Sequence, residues 1–135
     1  MDSACLKTHP HILLAEDDAA LRDLLDFALT RAGYLVTCCS NGLDLLERLE
    51  EGDPFDLVIT DLRMPALTGL EVLECQYDTL NGTPFICMTA FGDRSTHEQA
   101  KRFGAAASID KPFDLDRMIE LVHATSLRNP SSVQH

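Results

Sequence analysis

Short apolar runs recur along the chain, and between them lie stretches whose apolar residues are spaced as on a helix. The runs are His11–Ala15, Tyr34–Cys39, Leu57–Ile59, Phe85–Met88 and a feeble Ala105–Ile109, each too brief for a buried helix. Leu21, Leu24, Leu25, Ala28 and Ala32 predict a first helix, which Gly33 can cap. Ser40-Asn41 offers a cap for a second helix, with Leu45, Leu46 and Leu49 on one face. Leu70, Val72 and Leu73 mark a third helix. Asp93 to Phe103 reads as a fourth, capped by Asp93 and so polar that only Ala100 and Phe103 can anchor it. Leu115, Met118, Ile119 and Val122 complete a fifth. Turns at Gly52-Asp53-Pro54 and Asn81-Gly82-Thr83-Pro84 separate the elements. Strands alternating with helices imply parallel pairing, right-handed crossovers and helices on both faces. The expected fold is a single doubly wound α/β domain.

Composition narrows the function. No apolar run approaches the roughly 20 residues that span a bilayer, and Met1–Lys7 lacks the pattern of a signal peptide. Cys5, Cys38, Cys39, Cys75 and Cys87 are odd in number and lack Cys-x-x-Cys spacing, which suits reduced thiols and a cytoplasmic location. Cys38, Cys39 and Cys87 read as small buried groups, and His9, His11, His97, His123 and His135 show no helical metal spacing. The net charge is −11, all of it within residues 1–90, while residues 91–135 carry six charges of each sign. Neither part offers the positive field that phosphates require, so neither direct DNA binding nor a membrane role is expected.

In a parallel sheet every strand's carboxyl end lies on one edge, and that is where ligand chemistry sits. Glu16 and Asp17 follow the first run, Asp61 the third, Thr89 the fourth and Lys111 the fifth. Three carboxylates, a hydroxyl and one ammonium would share a mouth. Carboxylates packed together raise one another's pKa and call for cations. Lys111 supplies one positive charge, and a hard divalent ion such as Mg²⁺ could supply the rest.

The segments Ile12–Asp18, Asp61 with Met64-Pro65 and Gly69, Met88-Thr89-Ala90, and Lys111-Pro112-Phe113 together resemble the receiver domain of two-component response regulators, of the chemotaxis-receiver kind. The resemblance covers roughly residues 11–127. It implies a flavodoxin-like (βα)5 sheet of order 2-1-3-4-5, with Asp61 as acceptor of a phosphoryl group from a sensor histidine kinase or a histidine phosphotransfer protein. It further implies Mg²⁺, with Mn²⁺ able to replace it, held by Asp17, Asp61 and the Arg63 backbone carbonyl, with Glu16 acting mainly through water. Lys111 and Thr89 would meet the phosphoryl oxygens beside the small Ala90, and the Lys111-Pro112 peptide would be cis to aim Lys111. On this reading the protein is a phosphoacceptor regulator rather than an enzyme, and its output is contact with a downstream protein through the fourth helix, fifth strand and fifth helix.

One departure stands out. Ser108 occupies the fifth-strand position where many receivers carry a switching aromatic, so the readout would run without it or through Phe91 or Phe103. Bulky Arg63 and Phe91, two after Asp61 and two after Thr89, are expected to hinder the attacking water and prolong the acyl phosphate. Residues 1–10 read as an extension and 128–135 as a frayed tail. With so little chain after the last helix, a switch without its own effector domain is expected. Three alternatives compete. A Mg²⁺-dependent aspartyl-phosphate hydrolase would want an acid where Arg63 stands. A flavodoxin-like redox carrier would want a Ser/Thr-rich loop where the acids stand. A phosphorylation-independent interaction module would have no use for the acids, Thr89 and Lys111 together.

Overall fold

The computed structural model describes residues 9–52, 54–64, 67–77, 83–90 and 93–128. Strands β1 (His11–Ala15), β2 (Leu35–Cys39), β3 (Leu57–Asp61), β4 (Phe85–Ala90) and β5 (Ala107–Lys111) alternate with α1 (Ala19–Arg31), α2 (Gly42–Glu50), α3 (Gly69–Tyr77), α4 (Arg94–Arg102) and α5 (Leu115–Arg128). All strand pairs are parallel, in the order β2-β1-β3-β4-β5, as expected of a flavodoxin-like sheet. Asp53, Pro65, Ala66, Asn81, Gly82, Phe91 and Gly92, on which several sequence readings fall, lie outside the described residues, as do both ends of the chain.

Alternation along each strand sorts the core into two layers. Leu13, Ala15, Val58, Phe85 and Cys87 pack with Leu45, Val72, Leu73 and Ala100, so α2, α3 and α4 cover this face. Ile12, Leu14, Leu57, Ile59, Ile86 and Met88 pack with Leu25, Leu29, Met118 and Val122, so α1 and α5 cover the other. The three central strands are buried on both faces, which is why they read as unbroken apolar runs.

The helix starts are capped by side chains. The Asp18 carboxylate accepts from the amides of Ala20 and Leu21, and Asn41 and Asp93 do the same for α2 and α4. Thr68 and Glu71 form a reciprocal capping box at α3, with backbone-to-side-chain bonds of 2.8 and 3.1 Å. Gly33, at φ +104°, ends α1.

Two expectations need correcting. β5 begins at Ala107 rather than Ala105, because the Ala105 amide bonds to Ala100 O and closes the end of α4. The strand consequently runs on to Lys111. On α1 the buried stripe is Leu25 and Leu29 flanked by Leu21, whereas Leu24 is 48% exposed and Ala32 is also exposed. An i, i+4, i+8 row meets α5 and the sheet, and Leu24 falls just outside it.

Gly69 starts α3 directly against the end of β3. A Cβ there would stand 2.1 Å from Asp61 O and 2.7 Å from Thr60 Oγ1. Backbone cannot yield as a flexible side chain does, so Gly69→Ala should destabilise the fold by about 1–3 kcal/mol. A urea-unfolding midpoint lowered at unchanged slope checks this.

Candidate functional site

Glu16, Asp17, Asp61, Ala90 and Lys111 all stand at the carboxyl ends of strands, and strand alternation decides which of them meet. Asp61 continues the series Leu57, Ile59, and Lys111 continues Ala107, Ile109, so both belong to the face covered by α1 and α5. Lys111 Nζ lies 2.5 Å from Asp61 Oδ2 and 2.9 Å from Glu16 Oε1. The Arg63 amide donates to Asp61 Oδ1 at 2.9 Å, so each oxygen of Asp61 has a donor. Carboxylate oxygens of Glu16, Asp17 and Asp61 lie within 4.8 Å of one another. Glu16 and Asp61 are buried while Asp17 is exposed, which leaves the cluster open to solvent on one side.

Local structure explains why these two acids, and not Asp18, face the cluster. Asp18 is committed to capping α1. Its amide donates to Glu16 Oε2 at 3.1 Å, and Arg22 Nη1 donates to the Glu16 carbonyl at 2.9 Å, which fixes the turn. Burial pushes the Glu16 carboxyl above its ordinary pKa despite the nearby Lys111 ammonium. Burial acts on Lys111 in the opposite sense, but its hydrogen bonds to Asp61 and Glu16 outweigh this and hold it above its ordinary value. The Lys111-Pro112 peptide is cis.

Thr89 belongs to the other series, with Phe85 and Cys87, so it lies on the α4 side of the sheet. It is fully buried, and its hydroxyl has no hydrogen-bond partner among the described residues. An unpaired buried hydroxyl costs free energy, so Thr89 gains if an acceptor comes within reach. The Arg63 guanidinium pairs with Asp93, the cap of α4, at 3.0 Å. Hydrogen bonding from Thr96, and after it from Arg63, keeps the Asp93 carboxyl below its ordinary pKa.

Sequence reasoning passed over His97 as unremarkable. The ring in fact bridges α4 to β5, with Nδ1 2.5 Å from Ser108 Oγ and Nε2 2.5 Å from Asp110 Oδ1. Only the i, i+2 placement of Ser108 and Asp110 on one strand face hinted at a shared partner. Cys38, Cys39, Cys75 and Cys87 are free thiols, and burial pushes Cys39 and Cys87 up to about 12 and Cys38 to about 11, so those three stay protonated. No described helix is long and apolar enough to cross a membrane.

The family model for the response regulator receiver domain matches residues 12–123. The chain belongs to this family. The transcriptional regulatory protein FixJ of Bradyrhizobium diazoefficiens is 35% identical over 119 residues, which are 88% of this chain and 58% of that protein. The DNA-binding transcriptional regulator NtrC of Escherichia coli K12 is 34% identical over 128 residues, 91% of this chain and 27% of that one. The chain therefore spans little more than half of FixJ and about a quarter of NtrC. Full-length FixJ from B. japonicum superposes with a TM-score of 0.82 at 34% identity, covering 90% of this chain and 60% of that one. The NtrX receiver domain from Brucella abortus gives 0.79 at 26% identity, covering 87% and 98%. Receiver domains are phosphorylation-dependent signalling switches that take their phosphoryl group from histidine kinases, and the acidic cluster fits the family's Mg²⁺ site.

The raised pKa of Glu16 has a direction that can be tested. A carboxyl that keeps its proton longer when folded loses stability for the protein as pH rises from the ordinary 4.5 through its folded value. In chelator, the stability of Glu16→Gln relative to wild type should therefore increase across that window and then level off. Urea unfolding at a series of pH values measures it, and a pH-independent difference would contradict the assignment.

Proposed function

We propose that this receiver domain accepts a phosphoryl group on Asp61 from a phosphohistidine of a sensor histidine kinase or a histidine phosphotransfer protein. The observation that carries the reading is the contact of Lys111 with both Asp61 and Glu16, inside a cluster of three carboxylates at one sheet edge. An Asp61 carboxylate oxygen attacks phosphorus, the N–P bond breaks, and the imidazole leaves with the bonding pair. Because the Arg63 amide and Lys111 already grip Asp61, the nucleophile is oriented before the donor arrives.

The donor set is oxygen alone, with more negative charge than Lys111 balances, which suits a hard divalent ion: Mg²⁺, with Mn²⁺ able to replace it. Asp17, Asp61 and the Arg63 carbonyl would hold it, with Glu16 acting through water. When bound it supplies positive charge against the transferring phosphoryl oxygens. Lys111 moves with its ammonium from Asp61 to a phosphoryl oxygen, the Thr89 hydroxyl donates to another, and Ala90 leaves them room. The Thr89 hydroxyl that lacks a partner before transfer supports this role.

The switch proper comprises residues 11–127, acts in the cytoplasm, and signals by protein contact across α4, β5 and α5. The DNA binding in NtrC's name belongs to that protein. A net charge of −11 disfavours direct contact of this chain with nucleic-acid phosphates.

Incubation with acetyl phosphate and Mg²⁺ should add the mass of one phosphoryl group to wild type and none to Asp61→Ala, and chelation of Mg²⁺ should sharply reduce the addition. No addition to wild type, or an equal addition to the variant, would refute the reading. A second prediction concerns lifetime. Arg63 stands beside the acceptor and is tied to Asp93 across the mouth. Its replacement in Arg63→Asn should speed loss of the phosphoryl label from isolated protein, and an unchanged rate removes Arg63 as a shield.

A further inference from the structure

We infer that His97 is the coupling arm of this receiver, a clasp between α4 and β5 that phosphorylation at Asp61 opens. The inference rests on the reading of Asp61 given above. It begins at Ser108, the position at which a switching ring is missing. The ring is supplied from the opposite side of the seam, by α4. His97 bonds Ser108 through Nδ1 and Asp110 through Nε2. A carboxylate only accepts, so Nε2 carries the proton toward Asp110, and the Ser108 hydroxyl can donate to Nδ1. Both ring nitrogens are thus satisfied by neighbours on one strand, 11 and 13 residues away in sequence.

Little else holds this edge of α4. Among its described residues only Thr96 and Ala100 are buried. The seam is flanked by clefts of about 570 and 620 Å³, and His97, Ser108 and Asp110 line both. His97 and Asp110 retain 26% and 39% of their side-chain exposure, so water competes for these bonds and the clasp is of a strength that a local event can overturn. Apolar packing would have made a seam that stays shut. A hydrogen-bonded ring makes one that can open.

The path from Asp61 is short and runs through the strand pairing. Thr89 shares the α4 face with Ser108 and Asp110, and in register it is the partner of Asp110, as Cys87 is of Ser108. When an acyl phosphate offers the Thr89 hydroxyl an acceptor, Thr89 must swing from the α4 face toward the acceptor's side. That movement disturbs the strand against which Asp110 is held. A second link runs through Arg63, whose amide holds Asp61 and whose guanidinium holds the cap of α4. Both links converge on the first turn of α4, where His97 stands. Opening frees the polar groups of His97, Ser108 and Asp110 on the face proposed for output, so the partner meets hydrogen-bonding groups that were paired with one another before.

The test uses the whole chain and three readouts: intact mass after acetyl phosphate and Mg²⁺, imidazole resonances by NMR, and hydrogen exchange of the α4 amides. In wild type the expected result is phosphoryl uptake together with loss of the fixed His97 tautomer signal and α4 exchange faster by roughly tenfold. His97→Phe should take up the phosphoryl group equally but show rapid α4 exchange from the start, with no further rise. Asp110→Ala, which removes the acceptor of the Nε2 proton and keeps the ring should the first variant fold poorly, should behave likewise. Uptake with His97 resonances and α4 exchange unchanged overturns the clasp and leaves Asp61 as acceptor. A wild-type response in Asp110→Ala also overturns it. No uptake on wild type overturns both the acceptor and its coupling.

Discussion

The ammonium of Lys111, lodged between Asp61 and Glu16, is the contact on which the rest of the site depends. Three carboxylates within 4.8 Å would push one another apart and draw the ends of β1 and β3 with them. One positive charge on the far side of β4 holds them together without neutralising them. The remaining negative charge is what makes the edge receptive to a cation. Buried ion pairs are weak evidence for stability, since desolvation offsets much of the attraction. Here the pair's value lies in orientation: it fixes where an oxygen of Asp61 sits.

Much of this is legible in the amino-acid sequence, for a physical reason. A doubly wound sheet buries its central strands on both faces, so β1, β3 and β4 announce themselves as apolar runs and the residues that follow them must share an edge. Glu16, Asp17, Asp61 and Thr89 are brought to one edge on that ground alone, and Lys111 joins them once β5 is placed. The edge strand β5 was harder. Its alanines carry no periodic signal, and only the closing bond from Ala105 to Ala100 shows that the strand begins two residues later. On α1, Leu24 fits a helical stripe as well as Leu25 does, and only the position of α5 decides between them.

His97 was hidden for a different reason. Nothing local marks it, because its partners lie on another element and are ordinary polar residues. The Thr68–Glu71 capping box, by contrast, joins residues three apart in the chain. Contacts within a turn leave a pattern in the chain, whereas contacts across a helix–strand seam leave none until the two are placed side by side.

The division of each strand into two faces has a wider consequence. Asp61, Ala90 and Lys111 hold to one face of the sheet, while Thr89, Ser108 and Asp110 hold to the other. On the function proposed above, acceptor and readout would occupy alternate residues of the same short strands. Substitution can rework one face without touching the other, and the clasp inferred at Ser108 would sit apart from the acceptor proposed at Asp61. A single residue inserted into β4 would do the reverse, exchanging the two roles at a stroke. Such a chain is free to acquire new listeners but not to shift its frame.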